Sequence, residues 1–269
     1  MTTGGTMRRI ATRKPIPTAA VAVVLFAAAT GGMGADRASA AEGALPPIDR
    51  RWAHEGLFGT YDRAAAQRGF QVYREVCQGC HALKYVAFRH LTDLGFSEEA
   101  AQAIAAEYTV VDGPNDEGEM FERPARLSDP IPPPYPNDAA ARAANGGAYP
   151  PNLSLLTKAR AHGEDYLFSV LVGYHEGEEE APPGQYYNAY FPGNFIAMPQ
   201  PLYEEGVAYT DGTEATIPQM AADVTQFLAW AAEPTLEQRK GTGIKVMLFL
   251  IILSGLLYAT KRKIWADVH

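Results

Sequence analysis

The hydrophobic and polar positions of this 269-residue chain repeat mostly at helical spacing, between stretches rich in proline and glycine. Phe70 and Tyr73 are spaced to share one helix face. Ser97, followed by two glutamates, is typical of a capped helix start. Because turn residues dominate the stretch between the second and fourth helices, residues 111–151 are predicted to be mostly irregular. Helices are predicted over residues 60–76, 97–108, 138–144, 163–174 and 219–232.

A sixth helix, over residues 244–260, is apolar enough to cross a membrane. Its 17 residues would span about 25 Å as a helix. Lys245 can extend its ammonium group towards the lipid headgroups, and Tyr258 and Trp265 are aromatic residues of the kind found at membrane interfaces. Basic residues bracket the run almost equally on both sides, so they do not orient it.

The N-terminus has the three parts of a secretory signal peptide. Basic residues lie between positions 8 and 14, an apolar run covers positions 19–30, and Ala38-Ser39-Ala40 provides a cleavage site. A signal over residues 1–40 places residues 41–240 outside the cytoplasm and the tail, residues 261–269, inside it. The chain is therefore predicted to be a periplasmic domain on a C-terminal membrane anchor.

The net charge of the chain is −8. Without residues 1–40, the chain has 18 basic and 30 acidic residues. A body this acidic repels nucleic acid and favours basic partners. Charge thus constrains the partners without naming a fold.

The two cysteines of the chain lie in Cys77-Gln78-Gly79-Cys80-His81. Two thiols at this spacing can form thioethers to the vinyl groups of one haem, and the histidine that follows can bind the iron. A thioredoxin-like redox pair would need a βαβ pattern, which is not apparent, and a structural zinc site would need further ligands. The motif therefore predicts one covalent haem c with His81 as an axial ligand.

The sixth iron ligand is less directly indicated. Met198 lies in an apolar loop before a proline, whereas Met120 lies among acidic residues and Met220 begins a helix. We therefore favour Met198, which would give a closed iron suited to one-electron transfer. An open-site haem peroxidase or ligand sensor is the minority alternative. Four histidines compete with Met198 as the sixth ligand: His54, His90, His162 and His175.

Most of the chain after the signal resembles the cytochrome c1 family, the haem subunits of the cytochrome bc1 complex. The resemblance rests on QRGFQVYREVCQGCHALKYVAFRHL, VDGPNDEGEMFERPARLSDPIPPPYPN, AARAANGGAYPPNLSLL, HGEDYLFSVLVGY, YFPGNFIAMPQPLY and DVTQFLAWAAEP. It implies a mainly α, class I cytochrome c-like helical haem domain with long Pro/Gly-rich loops, plus one C-terminal transmembrane helix. The helices over residues 60–76 and 219–232 would then pack across each other.

The resemblance also implies site residues and partners. Arg160 matches an arginine near a haem propionate, and Tyr166 matches a tyrosine on the same side of the haem. Asn145 and the pair Pro150-Pro151 match positions in the pocket wall. The implied partners are cytochrome b, the Rieske iron–sulfur protein, a soluble cytochrome c and membrane lipid of the bacterial inner membrane. A free-standing anchored cytochrome c is the alternative.

The chain departs from some bacterial relatives, which look to carry an extra disulfide. It has no spare cysteine, so the methionine loop must be braced in another way. Two acidic segments are candidate docking sites for a basic cytochrome, residues 176–180 and residues 112–122. Each is about equally well explained as a solvated loop. Catalysis by the chain alone is not expected, because nothing in it resembles a quinone pocket.

Overall fold

The computed structural model describes residues 43–175 and 180–267, and these ranges form a mainly helical fold. The predicted signal peptide and most of the acidic loop at residues 176–180 lie outside the described residues. The α-helices are α1 (Arg63–Val72), α2 (Glu98–Ala106), α3 (Asp138–Ala144), α4 (Leu156–Ala159), α5 (Gly163–Val172), α6 (Ile217–Ala232) and α7 (Leu236–Ile264). Two antiparallel hairpins pair β1 (Thr109–Asp112) with β2 (Phe121–Pro124), and β3 (Tyr186–Tyr187) with β4 (Phe195–Ile196).

The helix predicted before the cysteine motif is present and leads directly into it. Asp62 caps its start by accepting a hydrogen bond from the Ala65 amide. After α1 the backbone widens into one π-helical turn, Tyr73–Cys77, closed by a hydrogen bond from the Gln78 amide to the Tyr73 carbonyl. Such turns occur often at functional sites. Here the turn carries the first cysteine.

Helices α1 and α6 cross closely, as the resemblance implied. Gly69 makes the approach possible, because a Cβ there would lie 1.9 Å from the Asp223 carbonyl oxygen. The rings of Phe70 and Phe227 pack beside this contact with centroids 5.5 Å apart. Arg68 adds two hydrogen bonds to the buried Asp223 carboxylate, at 2.9 and 3.0 Å. Apolar packing and a buried ion pair thus stabilise the crossing of α1 and α6.

The other predicted helices are present, and most of them differ from the observed ones at their ends. Helix α3 has the predicted bounds, and Ser97 caps α2 by accepting a hydrogen bond from the Ala100 amide. Helix α6 begins two residues early at Ile217, because Thr216 is its N-cap. Helix α5 ends at Val172, just before Gly173, rather than at residue 174. Two 3₁₀-helices, Phe88–Leu94 and Leu153–Leu155, and the short helix α4 were not predicted.

The hairpin β1–β2 differs from the predicted irregular structure of residues 111–151. Its strands are mostly exposed, and their apolar and polar residues do not alternate in the way that predicts a strand. Arg123 bonds the carboxylates of Asp112 and Asp129 from within β2. These ion pairs, invisible in the sequence pattern, hold the hairpin against the following loop.

Helix α7 is the one helix within the described residues that is long and apolar enough to cross a membrane. It begins at Leu236, eight residues before the predicted span at residues 244–260. The added residues bind the haem domain: Glu237 pairs with Arg63 at 2.9 Å. Lys240 donates to the carbonyls of His54 and Gly59 at 2.5 and 3.1 Å. The first turns of α7 therefore belong to the packed domain.

Candidate haem centre

The two cysteines lie at the end of the π-helical turn. The amides of Cys80 and His81 both donate to the Cys77 carbonyl, at 3.2 and 2.9 Å, which folds the motif into a tight turn. The thiols are not joined in a disulfide, and Cys77 is half-buried while Cys80 is exposed. Burial, and to a smaller extent Cys80, raises the pKa of the Cys77 thiol to about 12. Both sulfurs are thus presented from one short segment.

The imidazole of His81 has a defined orientation. Its Nδ1 lies 2.8 Å from the carbonyl oxygen of Pro151. A carbonyl only accepts, so Nδ1 carries the proton and donates it, which leaves the Nε2 lone pair free for a metal. Burial lowers the pKa of His81, against a smaller opposing effect of the Pro151 hydrogen bond, which favours the neutral ligand form. Tyr73 holds the backbone by donating its hydroxyl hydrogen to the His81 carbonyl at 3.2 Å.

A cleft of about 520 Å³ opens beside Cys80. Helix α3 and the segment before Pro151 form its walls, with Tyr135 and Pro150 among the lining residues. The side-chain amide of Asn145 donates to the Ala141 carbonyl at 2.7 Å and to the Tyr135 hydroxyl at 3.2 Å. The structure therefore places Pro150 in the wall and Asn145 behind it, as a support for Tyr135.

The predicted sixth ligand, Met198, is half-buried and lies two residues after β4. The Tyr174 hydroxyl donates a hydrogen bond to the Met198 carbonyl oxygen at 3.0 Å. Tyr174 was not singled out in the sequence, because it lies two residues beyond the end of α5 and no helical periodicity marks it.

Arg160 lies near Tyr166, and Tyr166 lies near Tyr174. Burial raises the pKa of Tyr166, and the positive charge of Arg160 partly opposes this. Burial also raises the pKa of Tyr174, with a smaller effect of Tyr166 in the same direction. Arg160 is exposed, and its guanidinium donates to the neighbouring Ala159 carbonyl at 3.3 Å. The roles of Arg160 and Tyr166 at a haem stay predictions.

Several rival ligands are occupied elsewhere. Met220 is fully buried in the core, and Met120 is 60% exposed on the β1–β2 hairpin. His54 is buried, with Nε2 lying 3.6 Å from a carboxylate oxygen of Glu164. His90 accepts a hydrogen bond from the Ala87 amide. Their surroundings favour Met198 by comparison, and its role stays a prediction.

These donors fit a haem c. The two thiols, separated by two residues, lie on a turn beside a cleft, and the adjacent histidine presents a free nitrogen lone pair. A motif of this kind in a mainly helical domain defines the c-type cytochromes, whose haem is bound covalently.

Comparison with known proteins identifies the group within that class. The sequence model of the Cytochrome C1 family matches residues 52–268, and the chain belongs to this family. Members of the family carry a covalently attached haem c, which is the cofactor of this chain.

Individual relatives agree with this assignment. A Rhodospirillum rubrum protein named cytochrome c1 is 47% identical over 249 residues, covering 86% of this chain and 92% of its own length. A Candida albicans protein named cytochrome b-c1 complex catalytic subunit is 48% identical over 239 residues. The alignment covers 88% of this chain and 83% of the Candida protein. A Bradyrhizobium diazoefficiens protein named cytochrome b/c1 is 45% identical over 302 residues. That alignment covers 98% of this chain but only 44% of the Bradyrhizobium protein.

Proposed function

We propose that this chain is the electron-transfer subunit of a cytochrome bc1 complex. It takes one electron from a Rieske iron–sulfur protein and passes it to a soluble c-type cytochrome, with cytochrome b as its neighbour in the membrane. The observation that carries the proposal is the hydrogen bond from His81 Nδ1 to the Pro151 carbonyl, which leaves Nε2 as the metal-binding atom. The names of the Bradyrhizobium and Candida relatives support the complex.

In this proposal Cys77 and Cys80 would hold the haem covalently, and His81 and Met198 would bind its iron. The bound haem would supply a one-electron couple, whose potential depends on its ligands and surroundings. The chain fixes the tautomer of His81 through the Pro151 carbonyl. Arg160 is exposed and free to turn its guanidinium towards a propionate carboxylate, a geometry suited to bidentate hydrogen bonding.

We also propose that residues 1–40 direct export and that α7 anchors the haem domain on the periplasmic side. The two ends of α7 differ in a way that supports this orientation. At its start, Arg239 pairs with Glu233 and Lys240 binds main-chain carbonyls of the haem domain. At its end, Lys261, Arg262 and Lys263 are exposed. Exposed basic residues next to a span favour its cytoplasmic side, so the proposal assigns the C-terminus there.

The hairpin turn within residues 112–122 is the described candidate for docking a basic cytochrome. Asp112 is paired with Arg123, so it contributes less negative field than its formal charge. Beyond it, Glu117 and Glu119 are exposed near the turn, where they attract a basic surface over a distance of about 10 Å at moderate salt. Residues 176–180 remain the second candidate from the sequence.

The ligation is tested by Met198→Leu in the full-length, haem-loaded protein. Removing the thioether should lower the reduction potential by on the order of 100 mV, a fraction of the roughly 0.8 V that axial ligands span. Carbon monoxide should then bind rapidly to the reduced protein. Potentiometric titration and reduced-minus-CO spectra measure both effects. Met120→Leu, at a 60% exposed methionine, is the matched control and should change neither. An unchanged midpoint in Met198→Leu would contradict the assignment.

The complex is tested by purifying the chain in mild detergent from its native membrane. A b-type cytochrome and a Rieske protein should co-purify with it in fixed proportion. A particle holding this chain alone would instead support the free-standing anchored cytochrome c. This result is independent of the axial ligands, so the two parts of the proposal can fail separately.

A further inference from the structure

We propose that Tyr174 is a positioning residue for the sixth haem ligand. Its phenol would hold the backbone of Met198 so that the sulfur stays directed at the iron. The inference rests on the proposed role of Met198. It begins from one contact, the hydrogen bond that the Tyr174 hydroxyl donates to the Met198 carbonyl at 3.0 Å.

The backbone around Met198 has few other restraints. Within residues 43–175 and 180–267, the Tyr174 contact is the one side-chain hydrogen bond made to residues 197–199. Pro199 follows, and a proline restricts the residue before it to extended conformations and offers no N–H. One hydrogen bond and one proline thus fix the direction in which the Met198 side chain leaves the backbone.

Tyr174 is itself held by a rigid support. It forms a β-bridge to Asn188, a fully buried residue whose side-chain amide donates to the Val170 carbonyl at 2.7 Å. The Ala189 amide donates to the Gly173 carbonyl at 3.1 Å. The support is therefore the C-terminal end of α5, a helix packed on α6. A hydroxyl anchored there can transmit the rigidity of the core to the loop.

The hydrogen bond from Tyr174 can brace the Met198 loop in place of a disulfide. The two cysteines of the chain are both in the haem motif, so no sulfur bridge can brace the loop. The contact from Tyr174 to the Met198 carbonyl is a hydrogen bond, so this brace does not depend on redox state.

The test is Tyr174→Phe in the full-length, haem-loaded protein in detergent. The ring stays and only the hydroxyl is lost, so the fold should persist. Imidazole is titrated into the oxidised protein, because it competes with methionine for the sixth site. Losing one hydrogen bond should tighten imidazole binding roughly fivefold to tenfold. It should also weaken the charge-transfer band of the methionine-bound ferric haem. Tyr186→Phe, in β3 and 45% exposed, is the matched control and should change neither.

Three results would overturn the positioning role: native imidazole affinity in Tyr174→Phe, an equal change in Tyr186→Phe, or a lower denaturation midpoint without tighter imidazole binding. The last would give Tyr174 a packing role alone. A failure of the ligation itself looks different. In that case the unsubstituted protein would lack the charge-transfer band of methionine-bound ferric haem, and Met198→Leu would leave the reduction potential unchanged.

Discussion

The two segments that carry the proposed axial ligands are held in different ways. His81 follows a helix whose face is buried against α6 in an aromatic core, where Tyr73 and Phe227 lie with ring centroids 5.8 Å apart. Met198 follows a strand of two residues in a loop region. That region is held by the hydrogen bond that the Tyr174 hydroxyl donates to Met198 and by one that Asn188 Oδ1 accepts from the Tyr190 amide. Apolar packing therefore holds the histidine side, and a small set of polar contacts holds the methionine side.

This difference determines how each side responds to change. Removing atoms from a packed core lowers the stability of the whole domain, because many neighbours lose contacts. Removing a polar contact from a loop frees that loop while the core persists. The histidine side should thus fail together with the fold, whereas the methionine side should fail locally and open the iron.

The largest expected effect is that of Gly69→Ala on the histidine side. The new Cβ would lie 1.9 Å from the Asp223 carbonyl oxygen and 2.8 Å from the Phe227 Cβ, so α1 and α6 must separate. We expect the free energy of unfolding to fall by about 4 kcal/mol or more, or the haem-loaded protein not to accumulate. Denaturant unfolding followed by circular dichroism measures this. Gly241→Ala, in α7 where a Cβ meets nothing within 4 Å, is the matched control and should be close to neutral.

An unchanged unfolding free energy in Gly69→Ala would show that α1 and α6 can shift at little cost. The packed helices before His81 would then tolerate change as well as the Met198 loop does, and the two sides would not differ in how they respond to substitution.

The corresponding change on the methionine side is Gly173→Ala. Its Cβ would lie 2.6 Å from Cδ2 of Tyr190 and 2.8 Å from Oδ1 of Asn188, both in the loop before β4. We expect the free energy of unfolding to fall by about 1–3 kcal/mol, because Asn188 and the Tyr190 ring must shift away from α5 to make room for the methyl group. The reduced protein should also bind carbon monoxide, since the displaced loop carries Met198. Flash photolysis measures the binding and thermal denaturation the stability. If Gly173→Ala kept the native stability, or lost stability without binding carbon monoxide, the prediction that the methionine side fails locally would be contradicted.

The sequence predicted the structure around His81 far better than the structure around Met198. The reason is that local patterns encode helices, whereas they do not encode contacts between loops. Helical periodicity and the caps at Ser97 and in α1 are local signals, so they appear in the pattern of the chain. The Tyr174 and Asn188 contacts join residues whose pairing depends on loop conformation, and no periodicity encodes them. The hairpin β1–β2 was missed likewise, because ion pairs of Arg123 stabilise it rather than an apolar face.

The same limit applied at the membrane helix. Hydropathy marks where a span becomes apolar, at residue 244, but not where the helix begins. The polar residues before it are helical because Glu237 and Lys240 bind the haem domain. Their role followed only from the fold.

The smallest expected effect comes from Tyr73→Phe, which sharpens the comparison most. Tyr73 is fully buried, and its hydroxyl donates to the His81 carbonyl at 3.2 Å, much as Tyr174 bonds the Met198 carbonyl. The ring stays packed on Phe227 after the substitution, so the loss should be about 1 kcal/mol of stability. Imidazole and carbon monoxide affinity should not change, because the Pro151 carbonyl still orients the imidazole of His81. Denaturant unfolding and imidazole titration of Tyr73→Phe beside Tyr174→Phe measure the contrast. Equal opening of the iron by both substitutions would mean that each ligand depends on one hydroxyl, and that core packing gives the histidine side no advantage.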